Sequence, residues 1–123
     1  MLDHIITRVT GQPWATFLAK ELLRPLGLEG ITGDLRGSRL TGRAAVRYAP
    51  NREPIEYYEN DTPGAASCWA SAHDLLRFGL FHCSKYEGPL SPATRASMQF
   101  PTAETGDDTI PGYGVGWMVI PTS

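Results

Sequence analysis

Residues 1–28 read MLDHIITRVTGQPWATFLAKELLRPLGL, and this stretch sets the fold. Leu2, Ile5, Ile6 and Val9 recur at i, i+3, i+4 and i+7, the spacing that lines one face of a helix with apolar side chains. Thr10-Gly11 follows, and Gly is the usual residue just past a helix end because it enters left-handed backbone without a Cβ penalty. Pro13 then stands where a first helical residue is expected, since its missing N–H would have had no partner there. Behind it Trp14, Phe17, Leu18 and Leu22 form a second apolar stripe. Pro25 biases the residue before it out of the α region, so this helix stops near Leu23 or Arg24. Two helices are therefore predicted, over residues 2–9 and 14–23, joined by a tight Gly11-Gln12-Pro13 corner.

Beyond this pair the pattern loosens. Gly30, Gly33, Gly37 and Gly42 break any long period. Short extended pieces at residues 45–48 and 55–58 flank Ala49-Pro50-Asn51-Arg52, which has turn chemistry, so a small hairpin and a meandering loop both fit. Ser71-Ala72-His73-Asp74 opens a third helix. The Ser71 hydroxyl can accept the backbone N–H three residues on, and the Asp74 carboxylate can reach back and suits the positive end of the helix dipole. Leu75, Phe78 and Phe81 or His82 carry its apolar face. Ser91-Pro92 repeats the cap-plus-proline start for a short fourth helix through about Met98. Residues 101–112 are polar and punctuated by Gly and Pro, hence loop. Tyr113, Val115, Trp117 and Val119 alternate, and Met118 and Ile120 make the other face apolar too, as in a buried strand. No run of matching quality offers it a partner, and an unpaired buried strand is costly. The chain reads as if it expects a sheet supplied from elsewhere.

Composition narrows the function classes. The chain has 123 residues, 41% hydrophobic and 20% charged, with a net charge of −2 and both signs interspersed. That balance gives no clustered basic face for nucleic acid or an anionic membrane. No apolar run approaches the ~18 residues of a spanning helix. The opening, broken by Asp3, His4 and Arg8, lacks the basic-then-apolar layout of a signal peptide. Cys68 and Cys83 are far enough apart for a disulfide, but two small buried or half-buried thiols are the plainer expectation. The compartment and the oligomeric state stay open.

Three segments together resemble the β-lactamase-related serine hydrolases, the broad family of class C β-lactamases, D-alanyl-D-alanine peptidases and related esterases. Ile5-Ile6-Thr7-Arg8-Val9-Thr10-Gly11-Gln12-Pro13, with Leu23-Arg24-Pro25-Leu26-Gly27-Leu28, is similar to its "V-[ST]-G-[QK]-P" corner and "E-P-L-G-[ML]" exit. Gly64-Ala65-Ala66-Ser67, with Ala70 through Phe78, resembles its "G-G-x-x-S-[ST]-A-x-D-L-A-R-F" stretch. Tyr113-Gly114-Val115-Gly116-Trp117 resembles its "Y-G-[LV]-G-W" strand. The order and spacing match over nearly the whole chain. The resemblance implies an α+β architecture in which residues 1–123 are a partial domain, the mostly helical middle of a β-lactamase/transpeptidase-like fold with one or a few strands and an incomplete sheet.

The resemblance also implies a chemistry. Family members pair a nucleophilic Ser and a Lys in S-x-x-K, assist proton transfer with Y-x-N or S-x-N, and flank the oxyanion region with K-T-G or H-x-G. A serine hydroxyl needs a neighbouring base to attack an acyl carbon, and the developing oxyanion needs fixed donors. Residues 1–123 contain no S-x-x-K, K-T-G or H-x-G. Tyr58-Glu59-Asn60 spells Y-x-N but lies on the wrong side of the helix pair, so it is read as coincidence. The implied position of the nucleophile and triplet is before residue 1, and that of the last motif after Ser123. No catalytic residue is assigned within the chain, which alone is expected to be inactive. Ser67, Cys68 and Trp69, in the loop before the third helix, are the candidates for lining the substrate cleft. A small-molecule or peptide substrate is implied, and no cofactor.

Other constellations explain less. Ser71, His73 and Asp74 sit too close along one helix start for a histidine to bridge the other two, so Ser71 and Asp74 are caps. Cys68, His73, His82 and Cys83 lack the short ligand pairs of a structural zinc site, so no metal is expected. Trp14, Phe17, Phe78, Phe81 and Trp117 read as core. The alternative in a different class is a complete, non-catalytic binding module derived from the same family. Such a module has to cover its own apolar surface, whereas part of a larger domain leaves apolar faces bare.

Overall fold

Helix α1 (Leu2–Thr10) ends as its sequence dictates, with Gly11 at φ 70° and its N–H donated 2.9 Å to the Thr7 carbonyl. The computed structural model describes residues 1–56, 64, 68–84, 87–102 and 112–120. The Thr10 hydroxyl donates back to the Ile6 carbonyl at 2.7 Å and accepts the Gln12 N–H at 3.2 Å, which fixes the corner. Pro13 is the cap of the next helix, at extended ψ 139°, rather than its first turn. Helix α2 (Trp14–Leu18) follows. The predicted second helix is real over 14–23 but changes pitch, because its latter half is a π-helical turn (Ala19–Leu23) closed by an Arg24 N–H to Ala19 carbonyl bond of 3.0 Å. Pro25 has no N–H to give to Glu21. Slipping the register by one residue uses the Arg24 donor instead and buries Leu23.

Residues 27–56 hold short elements. Strand β1 (Ile31–Thr32) pairs antiparallel with β4 (Trp69–Ala70), Ile31 opposite Ala70 and Thr32 opposite Trp69. A 3-10 turn (Thr41–Arg43) precedes β2 (Arg47–Tyr48), which pairs with β3 (Pro54–Ile55). The hairpin, one of the two conformations that the sequence allowed, is therefore the one adopted. Asn51 closes its turn by accepting the Glu53 N–H at 3.1 Å, and the Ala49 N–H reaches the Glu53 carbonyl at 2.9 Å. Tyr57 and Tyr58 of the predicted second piece lie outside the described residues, as do Glu59 and Asn60 of the Y-x-N triplet.

Helix α3 (Ala72–Cys83) and helix α4 (Pro92–Met98) start where predicted. Ser91 caps α4 by accepting the Thr94 N–H at 3.1 Å. The C-terminal run differs from its reading as one buried strand. It is a hairpin of β5 (Gly112–Tyr113) and β6 (Met118–Val119), turned by Gly116 at φ 76°. Its apolar side chains Tyr113, Val115, Met118 and Ile120 are exposed. Two-residue strands cannot bury both faces, and Gly116, in left-handed backbone, lets the chain fold back on itself.

The described residues thus form an α+β chain with four helices and three two-stranded sheets, none of them closed. It divides into two compact units, Met1–Phe78 and Gly79–Ser123. In the first, Leu23, Leu28 and Leu35 are buried. In the second, Phe81 and His82 are buried with Arg95, which is only 1% exposed. Trp14, Phe17, Phe78 and Trp117 are half-buried, so the expected aromatic core is only partly formed. Leu75, expected on the buried face of α3, is exposed with Leu76 and Leu80. The stripe of α1 is bare as well, with Leu2 72% and Val9 80% exposed. No helix among the described residues is long and apolar enough to cross a membrane.

Candidate functional site

The start of α3 is fastened to the segment before β1 by a reciprocal pair of contacts. The Ser71 N–H donates to the Gly30 carbonyl at 2.8 Å, and the Gly30 N–H donates to the Asp74 carboxylate. Ser71 also caps the helix by accepting the Asp74 N–H at 3.1 Å, as predicted. Asp74 departs from the prediction, since its carboxylate serves Gly30, 44 residues away, in place of the backbone of Ser71. A Cβ at position 30 would lie 2.7 Å from Ser71 Oγ and 2.8 Å from Asp74 Oδ2, so only glycine lets the strand come this close. Arg77, one turn on, donates to the Gly27 carbonyl at 2.9 Å and lies 3.8 Å from Asp74. A buried carboxylate that accepts a backbone donor beside a guanidinium is well compensated, so it fixes geometry without an orphaned charge.

These contacts set the position of β4 and therefore of Trp69. Trp69 lines a concavity of about 750 Å3, together with Ser71 and His73 on its own side and Arg39, Leu40 and Arg43 from the turn before β2. Buried Leu35 also contributes to the lining. Arg39 is paired with Glu29 at 2.7 Å, both side chains being largely exposed. Of the three predicted cleft residues, Trp69 lines this space, Cys68 precedes it in the chain without joining the lining, and Ser67 lies outside the described residues. Arg39 and Arg43 were not singled out by the sequence reading. Their only local signal is two arginines four residues apart in a glycine-broken segment, which by itself reads as solvated surface.

Both cysteines carry free thiols and both are exposed, which corrects the expectation of buried or half-buried ones. Cys68 stands just before a two-residue strand with little packed around it, and Cys83 is the last residue of α3. Neighbouring atoms nonetheless strip enough water from Cys68 to push its thiol pKa up, so it rests as the neutral thiol. His73 is solvent-facing on the first turn of α3.

A second group of polar and aromatic side chains lies wholly within the C-terminal unit. The His82 ring meets Trp117 edge-on with centroids 4.8 Å apart and Phe81 at 5.4 Å. The Arg95 guanidinium sits 4.2 Å over Phe81 and donates to the Ser84 carbonyl at 2.9 Å and the Leu90 carbonyl. Burial first, and the Arg95 charge second, lower the His82 pKa. With a buried cation tying the end of α3 to the loop before α4, this group reads as the unit's core.

The geometry just described can be set beside known proteins. The beta-lactamase family model matches residues 1–123. The chain belongs to the beta-lactamase family. Its architecture is similar to that of the octameric penicillin-binding protein homologue from Pyrococcus abyssi, with a TM-score of 0.68 at 17% identity. That likeness covers 94% of this chain but only 27% of the homologue, so the chain spans about a quarter of that protein's length. No curated protein matches it. The family assignment agrees with the resemblance carried by the three motif segments.

Proposed function

We propose that residues 1–123 are a partial domain, the helical middle of a serine hydrolase that works through an acyl-enzyme on an amide, β-lactam or ester. In this reading the nucleophilic serine, its lysine and the oxyanion-side strand are contributed from outside the chain, and the chain alone is inactive. Its own contribution is one wall of the substrate cleft, to which Trp69 belongs. The observation that carries this is Trp69 lining a roughly 750 Å3 concavity at the root of the capped helix, held there by the Gly30–Ser71–Asp74 contacts. An indole offers a large rigid apolar plate for an acyl group or ring, and ligand sites of this size suit small organic molecules. The exposed Leu2, Ile5 and Val9 of α1 and Leu75, Leu76 and Leu80 of α3 support the partial-domain part of the reading, because apolar surfaces of that kind are covered in stable proteins.

The test is kinetic, on the complete protein. Trp69→Ala is expected to raise KM for its ester or β-lactam substrate by about tenfold, with a smaller effect on kcat, as loss of uniform binding does. Unchanged KM and kcat would remove Trp69 from the cleft. Steady ester turnover by the 123-residue chain, above the rate in buffer, would refute the assignment of the nucleophile to other segments.

A further inference from the structure

We propose that His82 is a proton-operated catch on the C-terminal hairpin: while its ring is neutral it holds Trp117 against α3, and once protonated it lets residues 112–120 come away from α3 and α4. Every group involved lies in the C-terminal unit, so the inference is independent of the cleft reading of Trp69.

The hairpin is attached in two ways. Backbone bonds hold it to the end of α4 and to the residues that follow. The Val115 N–H donates to the Met98 carbonyl and the Thr102 N–H to the Tyr113 carbonyl, both at 2.8 Å. Gly114 runs so close to the end of α4 that a Cβ there would collide with the Met98 carbonyl. None of these groups titrates near neutrality. The second attachment does. The Trp117 ring meets the His82 ring edge-on, with centroids 4.8 Å apart. The turn that carries Trp117 is closed by a Gly114 N–H to Trp117 carbonyl bond of 2.8 Å. A displaced indole therefore pulls on the same backbone that meets α4. The side chains of Tyr113, Val115, Met118 and Ile120 are exposed and add little packing to hold the hairpin in place. A two-stranded hairpin of this length is marginal on its own, so its docking depends on few contacts.

Protonation puts a charge where it is costly. His82, Phe81 and Arg95 are all buried, and the Arg95 guanidinium, 4.2 Å over Phe81, already places one positive charge in the cluster. From α4 the groups facing His82 are Arg95 and the Gln99 amide, which donates to the His82 carbonyl at 3.4 Å. Glu87 in the loop before α4, Cys83 beside His82 and Tyr113 in the hairpin are exposed. Burial first and the Arg95 charge second hold the His82 pKa below its ordinary value. An edge-on imidazolium gains some cation–π attraction from the indole, but it keeps that contact only by staying buried beside Arg95. Release of the hairpin readmits water to the ring and relieves both costs, so the proton and the docked hairpin compete. The released state takes up the proton at an ordinary histidine value of about 6.5, the docked state at a lower one. Release therefore grows as pH falls, by up to about tenfold per pH unit between those two values, and levels off below the lower one.

The test is native-state amide hydrogen exchange of the 123-residue chain, followed by two-dimensional NMR between about pH 7.5 and 4.5 and expressed as protection factors. Protection of the Gly114 and Val115 amides is expected to fall by about tenfold across the window in which the His82 ring signals titrate. The Gly11 and Ser71 amides, bonded to the Thr7 and Gly30 carbonyls, are expected to keep their protection within about twofold. In His82→Gln, which cannot take up the proton, protection at Gly114 and Val115 is expected to stay level with pH. If circular dichroism shows His82→Gln unfolded, Trp117→Leu replaces it with the same expectation, because the histidine then has no ring to hold. Four results overturn the proposal: Gly114 and Val115 amides already unprotected at the top of the range, protection that stays level while His82 titrates, a fall that persists in the variant, or a His82 ring that stays neutral throughout. Equal loss at Gly11 and Ser71 also overturns it, since that is global unfolding and not release of the hairpin.

Discussion

Asp74 shows what a single side chain does at this site. Its carboxylate joins α3 to the segment before β1, the strand that pairs with the one carrying Trp69, through a charge-assisted bond to the Gly30 N–H. Asp74→Ala is expected to lower unfolding free energy by about 1.5–3 kcal/mol, the worth of a hydrogen bond to a charged group, as read from urea melts. Ser71→Ala, which removes only the cap, is expected to cost about 1 kcal/mol. The cap was legible because donor and acceptor lie three residues apart. The Gly30 contact was not, since nothing local links positions 30 and 74. Cys68 was legible as a loop residue but not as an exposed thiol held in its neutral form. Burial raises its pKa, so alkylation by iodoacetamide, followed by mass spectrometry, is expected to reach half its limiting rate above the ~8.5 of an unperturbed thiol. His82 shifts the other way. With its folded-state pKa below the ordinary value, its contribution to stability is present above about 6.5 and is lost as pH falls from there through the folded-state value. The urea midpoint is therefore expected to fall between pH 7 and 5, and less steeply in His82→Gln.

At the scale of elements, capped boundaries were more legible than interiors. Gly11, Ser71 and Ser91-Pro92 each marked a helix boundary, because capping chemistry is local in sequence. The change of α2 into a π-helical turn was hidden, since it depends on where the missing Pro25 donor shifts the register. The C-terminal run misled for a related reason. Its alternation fits a long strand, but Gly116 permits a hairpin, and pairing within the run satisfies backbone groups that a lone strand leaves open. Gly79 offers a direct test at this scale. It lies inside α3 with no atom within 4 Å of where a Cβ would stand. Gly79→Ala is expected to stabilise the chain by roughly 0.5–1 kcal/mol through helix propensity alone, again measured by urea melts.

Across the whole molecule, the fold class and the family were legible from three short motifs in fixed order, while of the residues that line the concavity only Trp69 was singled out by the sequence as a candidate. The arginines opposite it come from the glycine-broken segment, where no period predicts which side chains converge. The apolar stripe of α1 was legible too, yet the chain leaves Leu2, Ile5 and Val9 exposed, as it does Leu75, Leu76 and Leu80 of α3. Leu2→Ser with Val9→Ser is expected to reduce self-association in analytical ultracentrifugation while changing stability by under about 0.5 kcal/mol, because neither side chain is packed. These bare faces and the family match lead to the central claim, that residues 1–123 work within a larger serine hydrolase whose nucleophile lies in other segments. Sequencing the coding DNA on both sides tests that claim most directly. The account predicts an open frame carrying S-x-x-K and Y-x-N upstream and H-x-G or K-T-G downstream. In-frame stop codons before Met1 and after Ser123, with none of those motifs, would contradict it and make the chain a binding module.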